Sequence, residues 1–272
     1  MSTWGISGPR FLLLYVVLLA VTAVVVALAR RRALAVPDGA AAVPARLDPY
    51  EVAFLNGGAG LVATTAVSNL LRGGLLANAS RRRGGQSRLA PGAAPGAEVH
   101  PVEWATYELV AARPNRPLGD LQAALGRSPA MAALRERLRL GGLAPTPEQQ
   151  VRYRATGLWF APLLALGAAR VAAGVANGRP VGFLVALLAV TVGVAAALCL
   201  RVPDATELGR RTLGRLRAET RRPAAGASPA ELGMATALFG AGVLWAADVE
   251  TALALRVPRE HGAFFGGIGG DG

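Results

Sequence analysis

The chain has 272 residues, 53% of them hydrophobic and only 17% charged, against about 25% charged in an ordinary soluble domain. Its net charge is +12 and all 29 basic residues are arginine, which excludes activities that require a lysine: a Walker A phosphate loop, a pyridoxal Schiff base, a protein-kinase strand lysine. The single cysteine, Cys199, excludes an intrachain disulfide and a cysteine-based zinc cluster, and His100 and His261 lie far apart without ligand-spaced neighbours.

Taken in chain order, residues 1–10 read as an extracytoplasmic N-terminus. Phe11–Ala29 is an uncharged apolar run of a length that spans about 28 Å as a helix, close to the roughly 30 Å hydrocarbon core of a bilayer. Ala27-Leu28-Ala29 resembles a signal-peptide cleavage site. The run is too long for a signal sequence, however, and its charge lies on the wrong flank, in Arg30, Arg31 and Arg32. An uncleaved anchor is expected, with those three arginines at the membrane interface. Residues 30–46 form an Ala/Pro-rich linker.

Folded sequence resumes at Leu47, and 47–155 reads as a small helical domain. Asp48-Pro49 is an N-cap followed by proline at the first helical position, Asn56-Gly57-Gly58 ends that helix, and Leu61–Leu71 forms a second. Gly73-Gly74 stops the second helix, and Leu75-Leu76-Ala77 suggests a short strand. Arg81–Arg88 then forms a basic loop or hairpin tip. The pattern partly recurs, with Tyr107-Glu108-Leu109 echoing Tyr50-Glu51-Val52. Leu140-Gly141-Gly142-Leu143, after a helix at Ala130–Leu140, echoes Leu71–Leu75. The order of helix pair, Gly-Gly and short apolar piece resembles a winged-helix half-unit.

Two further spans follow. Leu158–Val175 contains Arg170 near its end, where a guanidinium can snorkel to the headgroups, and Trp159 marks its other interface. Val181–Leu200 is uncharged and flanked by Arg201. The turn 176–180 between them makes a helical hairpin. Residues 201–229 form a basic segment. Residues 230–257 form an apolar helix, buried or interfacial, with a fourth span at Leu232–Ala247 as the alternative, and 258–272 is a Gly-rich tail. The fold class is therefore mainly α, with about three transmembrane helices and a small helical domain. Residues 30–156 carry 17 arginines and 201–229 seven more, so the positive-inside rule puts these segments in the cytoplasm and the N-terminus outside, in a cell (inner or plasma) membrane.

Candidate chemistry is sparse. Gly58-Ala59-Gly60-Leu61-Val62-Ala63 fits a dinucleotide fingerprint, but residues 64–97 hold no acid for a ribose, so a helix turn is the simpler reading. Glu98, Glu103 and Glu108 lie near His100 and Trp104. Acids favoured at a helix start account for Glu98 and Glu103 without a catalytic role. Arg81, Arg82, Arg83 and Arg88 form the densest basic patch, read first as a solvated loop, next as a contact to anionic lipid, and last as a nucleic-acid contact. No catalytic, metal or cofactor residue is expected, and the partners expected are the bilayer and a protein.

The opening Thr3-Trp4-Gly5-Ile6-Ser7-Gly8-Pro9 runs into the first span through Phe11 and Tyr15. With Leu47-Asp48-Pro49-Tyr50-Glu51, Phe54-Leu55, Gly57-Gly58 and Arg72-Gly73-Gly74-Leu75, it resembles a family of bacterial, mostly actinobacterial, membrane proteins. Gly178-Arg179-Pro180-Val181-Gly182-Phe183-Leu184 and Ala237-Leu238-Phe239-Gly240 extend the likeness over nearly the whole chain. Members share a domain of unknown function and often end in a Gly/Cys-rich tail; the tail here keeps the glycines without the cysteines. The resemblance implies a membrane topology and no particular activity.

Overall fold

The apolar runs become three helices long and apolar enough to cross a membrane: Arg10–Ala33, Pro147–Ala176 and Gly182–Leu200. A computed structural model describes residues 8–35, 46–78, 89–96, 98–177, 182–200, 202–220, 228–255 and 257, which are mainly helical. The chain divides into two units, 1–36 with 145–203 and 37–144 with 204–272.

The first unit contains α1 (Gly8–Ala33), α6 (Pro147–Ala155), α7 (Ala161–Ala176) and α8 (Gly182–Leu200). The second of the apolar helices starts earlier than the sequence suggests. Thr146 and Gln149 form a capping box at Pro147, and α6 runs through a 3-10 turn at Thr156–Phe160 directly into α7. Residues 147–155 therefore group with the first unit, where the sequence suggested the end of the helical domain. From Thr156 to Ala176 the rod measures about 34 Å, by itself close to the thickness of a bilayer core. A small core of Phe11, Tyr15, Val26, Phe160, Leu163, Leu184 and Ala195 joins the helices. Small residues permit their close approach. A Cβ at Gly167 would stand 2.7 Å from Leu188 Cδ1 and 3.1 Å from the Tyr15 ring.

In the second unit, α2 (Pro49–Arg72) begins with the expected cap: Asp48 accepts from the Tyr50 amide, and Glu51 accepts from the Asp48 amide. The helix kinks at Gly57 and Gly58 and continues, so Gly58–Ala63 is a helix joint with no βαβ unit around it. The strands β1 (Leu76–Asn78) and β2 (Leu89–Pro91) pair antiparallel, with Ala77 opposite Ala90. Three helices follow: α3 (Pro101–Ala112), α4 (Leu118–Leu125) and α5 (Pro129–Leu140).

The apparent repeat is a local motif and not a duplicated unit. At the end of α2, Leu75 N–H donates to Leu70 and Gly74 N–H to Leu71. At the end of α5, Leu143 N–H donates to Leu138 and Gly142 N–H to Arg139. Both are Schellman caps, which need the left-handed conformation that Gly74 (φ 69°) and Gly142 (φ 68°) adopt. Tyr50 starts its helix, whereas Tyr107 lies in the middle of α3, so their surroundings differ.

The segments 201–229 and 230–257 fold into this same unit. The helix α9 (Glu207–Glu219) docks on the second cap: Thr206 Oγ1 donates to Gly142 O at 2.7 Å, and a Cβ at Gly209 would stand 2.5 Å from Leu143 O. The apolar stretch is not one helix. It breaks at Gly240 and Asp248 into α10 (Pro229–Phe239), α11 (Leu244–Ala247) and α12 (Val249–Ala254), leaving no helix of spanning length there. Ala237 and Leu238 of α10 join a core with Val62, Ala66, Leu134 and Leu138, and its Leu232 joins a second one with Val67, Leu70 and Leu121. Asn56 and Arg217 cap its C-terminal carbonyls at Ala237 and Leu238.

Candidate functional site

Polar side chains converge at two places, one in each unit. In the second unit, the N-termini of α2 and α3 meet. His100 caps α3 by accepting the Val102 amide on Nδ1 at 3.2 Å, which leaves its Nε2–H to donate to Asp48 Oδ2 at 2.8 Å. The imidazole stacks on the Tyr50 ring with centroids 4.5 Å apart. Tyr50 O–H donates to Glu103 Oε1, and Asn69 Nδ2 donates to both Tyr50 Oη, at 2.8 Å, and Glu103, at 3.3 Å.

The electrostatics follow from these bonds. Burial alone would raise the Asp48 carboxyl, but hydrogen bonds from His100 and the Tyr50 amide outweigh it and hold it below the usual carboxylate range. Burial, with the Glu103 carboxylate beside it, keeps the Tyr50 phenol protonated far above its ordinary range. Burial also raises Asp204, against the opposing charge of Arg135. The Asp204 carboxylate lies over the α2 kink, where a Cβ on Gly58 would come within 2.6 Å of it.

Of the acids weighed in the sequence, only Glu103 joins this cluster. Asp48, Tyr50 and Asn69 come from elsewhere in the chain, and the one local signal for any of them is the N-cap at Asp48. The Asp48–His100, Tyr50–Glu103 and Asn69–Glu103 bonds tie α2 to α3, while the His100–Val102 and Asn69–Tyr50 bonds lie within single helices. Among the described residues no group of three or more His, Cys, Asp or Glu could hold a metal ion.

In the first unit, Arg30 is the centre. Its guanidinium lies 4.4 Å from the Tyr153 ring centroid, donates to Thr156 Oγ1 at 2.9 Å, and reaches Leu198 O at 2.6 Å. It therefore binds α1, the α6–α7 joint and the C-terminal turn of α8 together, satisfying a carbonyl that the helix leaves without an internal partner. Cys199 Sγ contacts Arg154 O, and a Cβ at Gly157 would collide with that sulfur. Arg31, Arg32 and Trp159 are exposed. Arg170 faces inward instead: it is 8% exposed, with its guanidinium 4.8 Å from the Phe11 ring centroid, so it packs against α1 where the sequence suggested a headgroup anchor. Arg81, Arg82, Arg83, Arg88 and Arg201, like the tail 258–272 and residues 178–180 of the expected 176–180 turn, lie outside the described residues.

No family model, curated protein or solved structure matches the chain.

Proposed function

We propose that this is a multi-pass membrane protein whose three-helix unit crosses the bilayer with its N-terminus outside. On this reading it holds the second unit in the cytoplasm as a non-enzymatic interaction or scaffold module. The observation that carries the reading is charge asymmetry along the helix bundle. Arg30, Arg31, Arg32, Arg152 and Arg154 gather where α1 ends beside α6, while the opposite end has Arg10 and the inward-facing Arg170. The hydrogen bonds of the His100 cluster cap α2 and α3 and tie them together, which favours a scaffold over an enzyme, since among the described residues no nucleophile is paired with a base. The exposed Trp104, Leu140, Val249 and Leu253 supply apolar points for a protein partner.

The test has two arms. Reporter fusions at residue 85 and at the N-terminus should read inside and outside respectively; the reverse result rejects the orientation. Crosslinking in intact membranes should recover one protein in stoichiometric amount, and repeated recovery of this chain alone counts against the scaffold reading.

A second reading follows from the hairpin. The strands β1 and β2 end at Asn78 and begin again at Leu89, bracketing Arg81–Arg88 as a wing would be bracketed. On that reading the full-length protein binds DNA with strong salt dependence, weakened by Arg→Ala changes at 81–83. No retention on DNA at low salt rejects it.

A further inference from the structure

We propose that the arginine-rich end of the three-helix unit is a collar that binds anionic phospholipid headgroups through Arg31, Arg32, Arg152 and Arg154. The inference rests on the reading that this unit spans the bilayer. Its basis is the way Arg30 is used. That side chain is pinned inward on Tyr153, Thr156 and Leu198, which fixes the last turn of α1 against α6. Successive helical residues are turned by about 100°, so Arg31 and Arg32 point away from that contact. By the same geometry Arg152 and Arg154 flank Tyr153 on either side. All four are exposed.

Nothing in the unit neutralises them. Among its described residues the sole acid is Glu148, and none of the four arginines forms an ion pair with a described residue. Four exposed cations against one acid call for an anion from outside the unit. The surroundings identify it. Leu158 and Trp159 are exposed just beyond the arginines along the α6–α7 rod, and the exposed aliphatic faces of α1 and α8 follow. Guanidinium, then aromatic, then aliphatic surface matches phosphate, interface and acyl chain in that order. Arginine also pairs with phosphate through two parallel N–H bonds, which lysine cannot do. Because the four side chains diverge, the arrangement is a collar around the bundle and not one pocket.

The test uses the full-length protein purified in neutral detergent and titrated with phosphatidylglycerol or phosphatidylcholine. Native mass spectrometry reads retained lipid and thermal melting reads stabilisation. Phosphatidylglycerol should be retained in preference to phosphatidylcholine. Each arginine near an anionic surface contributes about fivefold, so the double variants R31A/R32A and R152A/R154A should each lose about 25-fold of that preference. The pair R210A/R211A, on α9 in the second unit, should lose none. Equal retention of the two lipids by the wild type overturns the proposal. So does an equal loss in R210A/R211A, which would reduce the effect to net charge. Carbonate extraction of the same membranes separates this from the underlying reading. A wild type that resists extraction yet shows no lipid preference fails only the collar, whereas a wild type that is extracted fails the spanning reading itself.

Discussion

The two units invert each other. The second buries Val52, Val62, Leu134 and Leu138 and turns most of its charge outward, as water requires. The first turns Leu13, Val17, Val24 and Phe183 outward, with Phe183 86% exposed, and keeps Tyr15, Thr191 and Arg170 inside. On the proposal that this unit spans the bilayer, lipid is its solvent and apolar surface gains nothing by being buried, so the helices would be held by close packing and by a few polar contacts. The same residue type therefore has opposite value in the two halves of the chain.

The largest expected effect exposes that inversion directly. Leu134→Ala removes a fully buried side chain from the second unit and should cost about 3 kcal/mol through lost burial and a residual cavity. Leu13→Ala, on the outward face of α1, should cost almost nothing. Thermal melting of the full-length protein in detergent measures both. A large loss for Leu13→Ala would mean that this face packs against protein and not lipid.

The next effect concerns the polar contacts. Arg30→Ala removes three interactions that join three segments of the first unit, and should cost about 2 kcal/mol, the range of a charge-assisted hydrogen bond. Arg30→Lys keeps the charge but cannot stack on Tyr153 while bonding Thr156 and Leu198, so it should recover only part of the loss. Full recovery by lysine would show that charge alone matters at this end of the bundle. In the second unit the matching change is Tyr50→Phe. It leaves the half-buried Glu103 and Asn69 groups without the phenol between them and should cost about 1.5 kcal/mol. Amide hydrogen exchange should place that loss at the starts of α2 and α3. A loss spread evenly over the unit would argue against a local polar tie.

Much of this is legible from the chain. The apolar runs reveal the three long helices because a membrane demands length and hydrophobicity, which are local properties. Asp48, Pro49 and Glu51 give the start of α2, and Gly73-Gly74 gives its end, because caps are local too. What local signals cannot carry is partnership. The cluster of Asp48, Tyr50, Asn69, His100 and Glu103 draws on α2 and α3, and nothing in the spacing of those residues foretells that they meet. The inward turn of Arg170 depends on Phe11, far away in sequence. The repeated Gly-Gly-Leu signal is real, but it records one capping solution used twice. The partition of the chain is likewise hidden, since α9 and α10 join the second unit through Gly209 on Leu143 and through the α10 core.

The smallest expected effect distinguishes two carboxylates within the second unit. The Asp48 carboxyl is lowered on folding, so the unfolded chain binds the more protons near its ordinary value of about 4. Its contribution to stability is therefore present above that pH and is lost as pH falls through the lower folded value. Asp204 is raised on folding by burial, so its sign is opposite: stability falls as pH rises from about 4 through the higher folded value. Asp48→Asn should lower the melting temperature at neutral pH and flatten the acid limb of its pH profile. Asp204→Asn should leave the acid limb alone and raise the melting temperature at neutral pH by removing an ill-solvated charge. The gain should be modest, because Asp204 is exposed enough for solvent to screen it. If Asp204→Asn instead lowers stability at neutral pH as Asp48→Asn does, its carboxylate is a working cap on the half-helix that begins at Gly58, and the kink depends on that charge as the start of α2 depends on Asp48.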